Sequence, residues 1–199
     1  MSNHSKIYLE TPTEIEELDF QEKCEKLLKV IDVASIKIKT VDMRHEVLID
    51  MIEVVKKITK NYKTPIIIEE NLGMAKYYKL DGIHLTGGTN SIKKCREELG
   101  PSSIIGTFCG CSKHVGLVAA EKGANYVSFS ATVQNKITNT LNIELFKWWQ
   151  TYIEIPSVVE SIPNNKIYGK LSKHADYIMF SSKIWTSSIE TIIKNLKTT

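Results

Sequence analysis

Lys37 and Lys39 stand two places apart in the run Ser35-Ile36-Lys37-Ile38-Lys39. In an extended chain residues i and i+2 share a face, so both ammonium groups leave the strand on one side. Lysines are seldom buried without partners, and two cations directed into one place suit the binding of an anion. A second apolar run, Pro65-Ile66-Ile67-Ile68, ends in Glu69-Glu70. Carboxylates at such a position serve either as oxygen ligands of a hard cation or as partners in carboxylate–lysine networks. For Glu69 the network partner would be Lys37 or Lys39. Thr86-Gly87-Gly88-Thr89 offers backbone amides to an anion or forms a plain turn. Ser181-Ser182 offers hydroxyls and amides to a phosphate, or caps the helix that follows.

Other reactive side chains carry less. Cys109-Gly110-Cys111 has only His114 nearby, short of the four grouped ligands a structural zinc needs. Cys109 would be a nucleophile only with a base to activate it, and none stands beside it in sequence. His84 is a single imidazole without neighbouring partners in sequence, which defines no chemistry, and is read as a structural residue.

These residues fall on a regular frame of short β-branched runs, each followed by a segment with helical spacing. The strands are Ile7 to Leu9, Val33 to Ile38, Pro65 to Ile68, Gly82 to Leu85, Ser103 to Thr107, Asn125 to Phe129, Ile155 to Val159 and Tyr177 to Phe180. The helices are Glu14 to Val30, Met43 to Tyr62, Leu72 to Tyr78, Ser91 to Leu99, Val115 to Lys122, Ile143 to Tyr152, Asn165 to Ser172 and Trp185 to Leu196. Strict β-α alternation implies a parallel sheet with right-handed crossovers, and eight units predict a single (β/α)₈ TIM barrel with short loops over 1–199. An open doubly wound sheet is the lesser reading, because Glu10-Thr11-Pro12-Thr13 after the first strand lacks the glycine-rich phosphate loop of that fold.

The 199 residues lie at the lower edge for such a barrel, so no inserted domain is expected. A hydrophobic content of 42% and a charged content of 25% are those of an ordinary globular chain. The net charge of +3 is mild and the lysines are scattered, which argues against nucleic acid as a partner. No apolar run approaches a membrane span, and Met1 to Lys6 lacks the apolar core of a signal peptide. A cytoplasmic location with reduced thiols is therefore expected.

Five stretches carry a family resemblance. They are P-I-I-I-E-E-N-L-G-M-A-K-Y-Y-K-L-D-G-I-H-L (Pro65 to Leu85), L-G-P-S-S-I-I-G-T-F-C-G (Leu99 to Gly110) and E-K-G-A-N-Y-V-S-F-S (Glu121 to Ser130). E-L-F-K-W-W (Glu144 to Trp149) with Ile155-Pro156 comes next, and Ala175-Asp176-Tyr177 with Ser181 to Trp185 completes the set. Together they resemble the thiamine phosphate synthase family and the related thiazole tautomerases, in order, from about Ile7 to Trp185. The resemblance implies a transferase that joins hydroxymethylpyrimidine diphosphate to thiazole phosphate and releases pyrophosphate, with Mg²⁺ as cofactor and phosphorylated small molecules as substrates. It further implies that Lys37 and Lys39 meet the diphosphate and act as catalytic cations, with Glu69 beside it. Glu70 would be the metal ligand, and Lys136 and Ser181-Ser182 the phosphate contacts.

The chain also departs from the family's pattern. Glu69-Glu70 replaces an Asn-Asp, Thr89 stands where a second metal aspartate is expected, and Thr107 to Gly110 loses a serine and a histidine. The segment Thr132 to Thr138 keeps its lysine, Lys136, about two places early. Val159-Glu160-Ser161-Ile162-Pro163 replaces a Gly-Gly turn whose amides hold a phosphate, and Glu160 is expected to repel one. The expectation is thus a weakly active synthase, the alternative being a non-catalytic barrel that binds a phosphorylated ligand or a protein.

Overall fold

The computed structural model describes residues 5–13, 17–134, 139–160 and 168–197. Ten strands and eight α-helices follow in order among those residues: β1 (Lys6–Glu10), α1 (Glu17–Val30), β2 (Val33–Ile38), α2 (His45–Thr59), β3 (Ile66–Glu69), α3 (Leu72–Tyr77), β4 (Gly82–Leu85), α4 (Ile92–Leu99), β5 (Ile104–Phe108), α5 (Lys113–Glu121), β6 (Tyr126–Ser130), β7 (Thr132–Gln134), β8 (Asn139–Leu141), α6 (Ile143–Tyr152), β9 (Ser157–Glu160), α7 (Tyr168–Leu171), β10 (Tyr177–Phe180) and α8 (Ile189–Lys197). Eight of the strands close a barrel in the order β1-β10-β9-β6-β5-β4-β3-β2, with every pair parallel. The closed barrel expected from the alternation is the fold observed. No described helix is long and apolar enough to cross a membrane.

Two expectations about elements are corrected. The segment after β6 is not a simple loop: β7 and β8 pair antiparallel through Thr132–Leu141 and Gln134–Asn139. The last helix does not begin at Trp185, because Ser182–Thr186 form a 3₁₀ turn and α8 starts at Ile189. Trp185 is fully buried there, its indole N–H donating to the Glu10 carbonyl at 2.7 Å and its ring edge-on to Phe20 at 4.8 Å. The packing of that ring fixes the tight turn where helical spacing alone would allow a longer helix.

Strand alternation sorts the side chains into two cores. Ile7 and Leu9, Ile36 and Ile38, Ile66 and Ile68, Val127 and Phe129 join the layer between barrel and helices. To it α2 contributes Leu48, Met51, Ile52, Val55 and Ile58, at the spacing of one helical stripe. The opposite face fills the barrel. Its floor is a separate cluster of Tyr8, Ile67, Tyr126, Val158 and Met179. Here Gly106 is required by close approach, since a Cβ on it would lie 2.0 Å from the Tyr126 ring. At the bottom, Arg96 clasps two loops, bonding the carbonyls of Gly100, Pro101, Ser103 and Gly123 and the Asn125 side chain.

Candidate active site

Above the apolar floor the barrel interior is ionic. Following each strand toward its C-terminal end, the inward position after Tyr8 is Glu10, after Ser35 it is Lys37, after Ile67 Glu69, after Gly82 His84, after Tyr126 Ser128, and after Val158 Glu160. Barrel active sites lie at this end of the strands. Lys37 Nζ is 3.0 Å from Glu10 Oε2 and 3.3 Å from Glu69 Oε1, with only 3% of its side chain exposed. Burial by itself would lower its pKa, but the charges of Glu160, Glu10 and Glu69 outweigh it and hold the ammonium above its usual value. Lys39, one step higher, is 31% exposed and 3.9 Å from Glu10 Oε1. The two lysines do share a face, as the alternation requires. Lys37 is the buried centre of a carboxylate cage, and Lys39 is the one that reaches solvent.

Glu69 is also tied to the loop after β2: its Oε2 accepts the Thr40 N–H at 3.2 Å, and its carbonyl accepts the Thr40 hydroxyl at 3.1 Å. Of the two readings left open for Glu69, the geometry matches the ion pair. Glu160 departs from its reading as a loop carboxylate. It is the last residue of β9, in register with Ser130, and its side chain is 12% exposed and turned into the barrel. Its Oε1 lies 3.0 Å from His84 Nε2, and neither atom makes an aligned hydrogen bond among the described residues. Burial would raise the Glu160 carboxyl; His84, Lys37 and the Ser128 hydroxyl prevail and bring it down to about 2. On its other side His84 Nδ1 meets the Tyr126 hydroxyl at 2.8 Å, and that hydroxyl meets Tyr8 at 2.9 Å. A connected chain thus runs from the floor to the mouth: Tyr8, Tyr126, His84, Glu160.

Glu70 sits outside this cage, solvent-exposed, with a left-handed backbone (φ 54). One carboxylate oxygen, Oε1, accepts from the Thr86 N–H, from the Thr86 hydroxyl at 2.9 Å and from the Gly87 N–H at 2.8 Å. Partial burial opposes ionisation, but these amide and hydroxyl donors lower its pKa overall. Oε2 accepts no hydrogen bond from the described residues, and is the atom that could take a cation. Thr89 is not brought to Glu70: its hydroxyl accepts from Lys122 at 3.1 Å, so no second metal ligand comes from that position. The described residues contain no group of three His, Cys, Asp or Glu arranged to hold a metal. Cys109 is buried, and that burial pushes its thiol up to about 12, the opposite of an activated nucleophile. Ser181 precedes the 3₁₀ turn without a side-chain capping bond, and Ser182 begins the turn. Lys136 lies outside the described residues.

The interior partners Glu10, Ser128, Tyr8 and Tyr126 were absent from the sequence-derived site. The usable signal was alternation carried one residue further. Extending the first strand to Glu10 and the seventh to Glu160 puts both carboxylates on the face of Tyr8 and Val158.

Fold and site together define a TIM barrel whose charged upper interior opens at the C-terminal mouth. The sequence model of the thiamine monophosphate synthase family matches residues 7–162, and this chain belongs to that family. Similar relatives include the thiamine-phosphate synthases of Erythrobacter litoralis, 28% identical over 92% of this chain and 89% of that protein, and of Rhodospirillum centenum, 28% identical over 90% and 89%. Among solved structures, thiamine phosphate pyrophosphorylase from Pyrococcus furiosus superposes with a TM-score of 0.77 over 98% of this chain and 97% of that one. At 19% identity this likeness speaks for the fold alone, as does that of a tryptophan synthase complex from the same organism, at 12% and a TM-score of 0.70.

Proposed function

We propose that this chain is a thiamine-phosphate synthase, joining hydroxymethylpyrimidine diphosphate to thiazole phosphate with release of pyrophosphate. The observation that carries the reading is the end-to-end correspondence with relatives of that name, spanning about nine-tenths of both partners. The non-catalytic alternative is not favoured by it. In the reaction the pyrimidine's C–O bond to the diphosphate breaks, the pyrophosphate leaves with the bonding electrons, and the thiazole nitrogen supplies the pair for the new C–N bond. Negative charge therefore grows on the leaving group, and fixed cations beside it lower the barrier.

In this reading Lys39 contacts the diphosphate, because it is the lysine with solvent access. Lys37 positions Glu10 and Glu69, and Glu69 in turn fixes the loop at Thr40. Ser181-Ser182, at the end of the eighth barrel strand, stays the candidate for the second phosphate, with Lys136, which follows the sixth strand in sequence. Glu70 would hold Mg²⁺ through Oε2 together with substrate oxygens, a ligand set in keeping with Mg²⁺ bound by one or two carboxylates plus phosphate. When bound, the ion neutralises charge on the departing pyrophosphate. With no group of three metal-ligating side chains among the described residues, the ion would be held by Glu70 and substrate oxygens together.

The test is to assay the purified protein with both precursors and Mg²⁺, beside Lys39→Ala. The expected result is turnover well below ordinary rates that falls a further 100-fold or so in the variant, the scale of losing one preorganised stabiliser. Absence of product at any precursor concentration would sink the reading, and turnover indifferent to Lys39→Ala would sink the placing of the diphosphate.

A further inference from the structure

An anion arriving at this barrel finds the interior unfavourable. Glu10, Glu69 and Glu160 gather about the buried ammonium of Lys37, so there three carboxylates meet one lysine. The rim offers a different environment at the end of β4. There the chain turns through Thr86 and Gly87 into Gly88, which takes a left-handed φ of 90, and two successive amides with the Thr86 hydroxyl converge on one point. Convergent backbone N–H groups of this kind form an anion-binding concavity. That point already holds an oxyanion, namely Oε1 of Glu70. Three donors crowd this single oxygen while its twin takes none from the described residues.

The occupant is held in an uncommon posture and can leave. Glu70 has a backbone conformation that non-glycine residues adopt rarely. Glu70, Thr86 and Gly87 are all exposed, so an external ligand has access to the turn without opening the fold. A cleft of about 420 Å³, lined by Glu70 with Thr40, His45 and Asn71 and by the apolar Met43, Leu48 and Leu72, adjoins Glu70, with room for the displaced carboxylate. We propose that the Thr86–Gly87 turn is an oxyanion site for a phosphate-type ligand, occupied in the free protein by the carboxylate of Glu70. Binding then exchanges one oxyanion for another at the same donors and releases Glu70 into the mouth. This deepens the functional reading above, which brings a diphosphate to the same rim, but the site itself requires only that a phosphate-type anion bind.

The probe is inorganic pyrophosphate, titrated calorimetrically into the full chain in chelator-treated buffer, so that no divalent ion contributes. Glu70→Gln removes the charge but keeps an oxygen to occupy the turn, and is expected to tighten binding about threefold, the effect of one screened charge at the rim. Glu70→Ala removes charge and occupant together and is expected to tighten it about tenfold, since charge-assisted hydrogen bonds of that strength become available. Thr86→Val in the Glu70→Ala background takes away one donor and should abolish most of the gain. Equal gains in the two Glu70 variants, no gain in Glu70→Ala, or a gain untouched by Thr86→Val would each overturn the proposal. Because the readout is binding, a protein that shows this pattern yet makes no product would lose the synthase reading and keep the site. A protein that turns over without the pattern would do the reverse.

Discussion

Replacing Lys37 with methionine asks whether the upper barrel is held by charge balance. Methionine keeps much of the aliphatic stem but leaves Glu10 and Glu69, at 3.0 and 3.3 Å from the lost nitrogen, without their shared cation. Removing one partner of a buried ion pair costs about 3–5 kcal/mol. In a chain of this length each kcal/mol moves the melting temperature by roughly 2–4 °C, so the variant is expected to melt roughly 6–20 °C lower. Lys39→Met is the matched control: that side chain is 31% exposed and its carboxylate is 3.9 Å away, a pair worth about 0–1 kcal/mol.

The pH dependence separates charge from packing. The folded-state pKa of Lys37 is raised, so its contribution is complete below the unfolded lysine value of about 10.4 and fades only as pH climbs through the still higher folded value. Between pH 5 and 8 its own titration is therefore silent. In Lys37→Met the remaining buried charge can be relieved by taking up a proton, and the deficit should shrink as pH falls from 8 to 5. Urea and thermal denaturation of all three proteins at both pH values reads this directly. A Lys37→Met deficit no larger than that of Lys39→Met, or one that is flat in pH, would refute the reasoning.

Glu160 should shape acid unfolding. Its folded value of about 2 lies below the ordinary 4.5, so its stabilisation is present above pH 4.5 and is lost as pH falls toward 2. Glu160→Gln should cost on the order of 3 kcal/mol near neutrality and flatten the acid limb, and an unchanged limb in urea titrations would contradict the placement. Gly106→Ala should destabilise by about 1–3 kcal/mol or more through overpacking, because its Cβ would meet the Tyr126 ring; a melt indistinguishable from the parent would show that the ring can move. A thiol reagent at pH 8 should modify one cysteine per folded chain, the exposed Cys111, with Cys24, Cys95 and Cys109 buried and reacting only after unfolding. Calorimetry on the protein without substrate should find Mg²⁺ affinity weaker than micromolar, since the described residues hold no group of three metal-ligating side chains, and micromolar or tighter binding would contradict this.

The frame of the fold was readable because period-two and helical textures alternate without interruption, and eight closed strands satisfy them all. The site was half readable. The shared face of Lys37 and Lys39 follows from alternation alone, and the link from Glu69 to Lys37 was among the readings left open. What escaped was the cage itself. Glu10 and Glu160 look like loop residues because a charged side chain normally ends a strand, and the closure of the barrel shows that both turn inward toward Lys37. Thr89 reads in sequence as a poor substitute for a metal aspartate, and its hydroxyl accepts from Lys122 instead. The β7–β8 hairpin was equally hidden, its strands being three residues each with one apolar side chain apiece.

The chain of hydroxyls at the barrel floor gives the protein a built-in optical gauge. Burial, followed by their mutual contact and the nearby carboxylate charge, raises the phenol of Tyr8, and burial with the charge of Glu160 raises that of Tyr126. In an alkaline titration the exposed phenols among the eight tyrosines ionise and change their ultraviolet absorbance first. These two stay dark while the strands remain closed around them and declare themselves only when the barrel opens. A late step in the absorbance curve, coincident with loss of ellipticity, would thus time the opening of the barrel without any label.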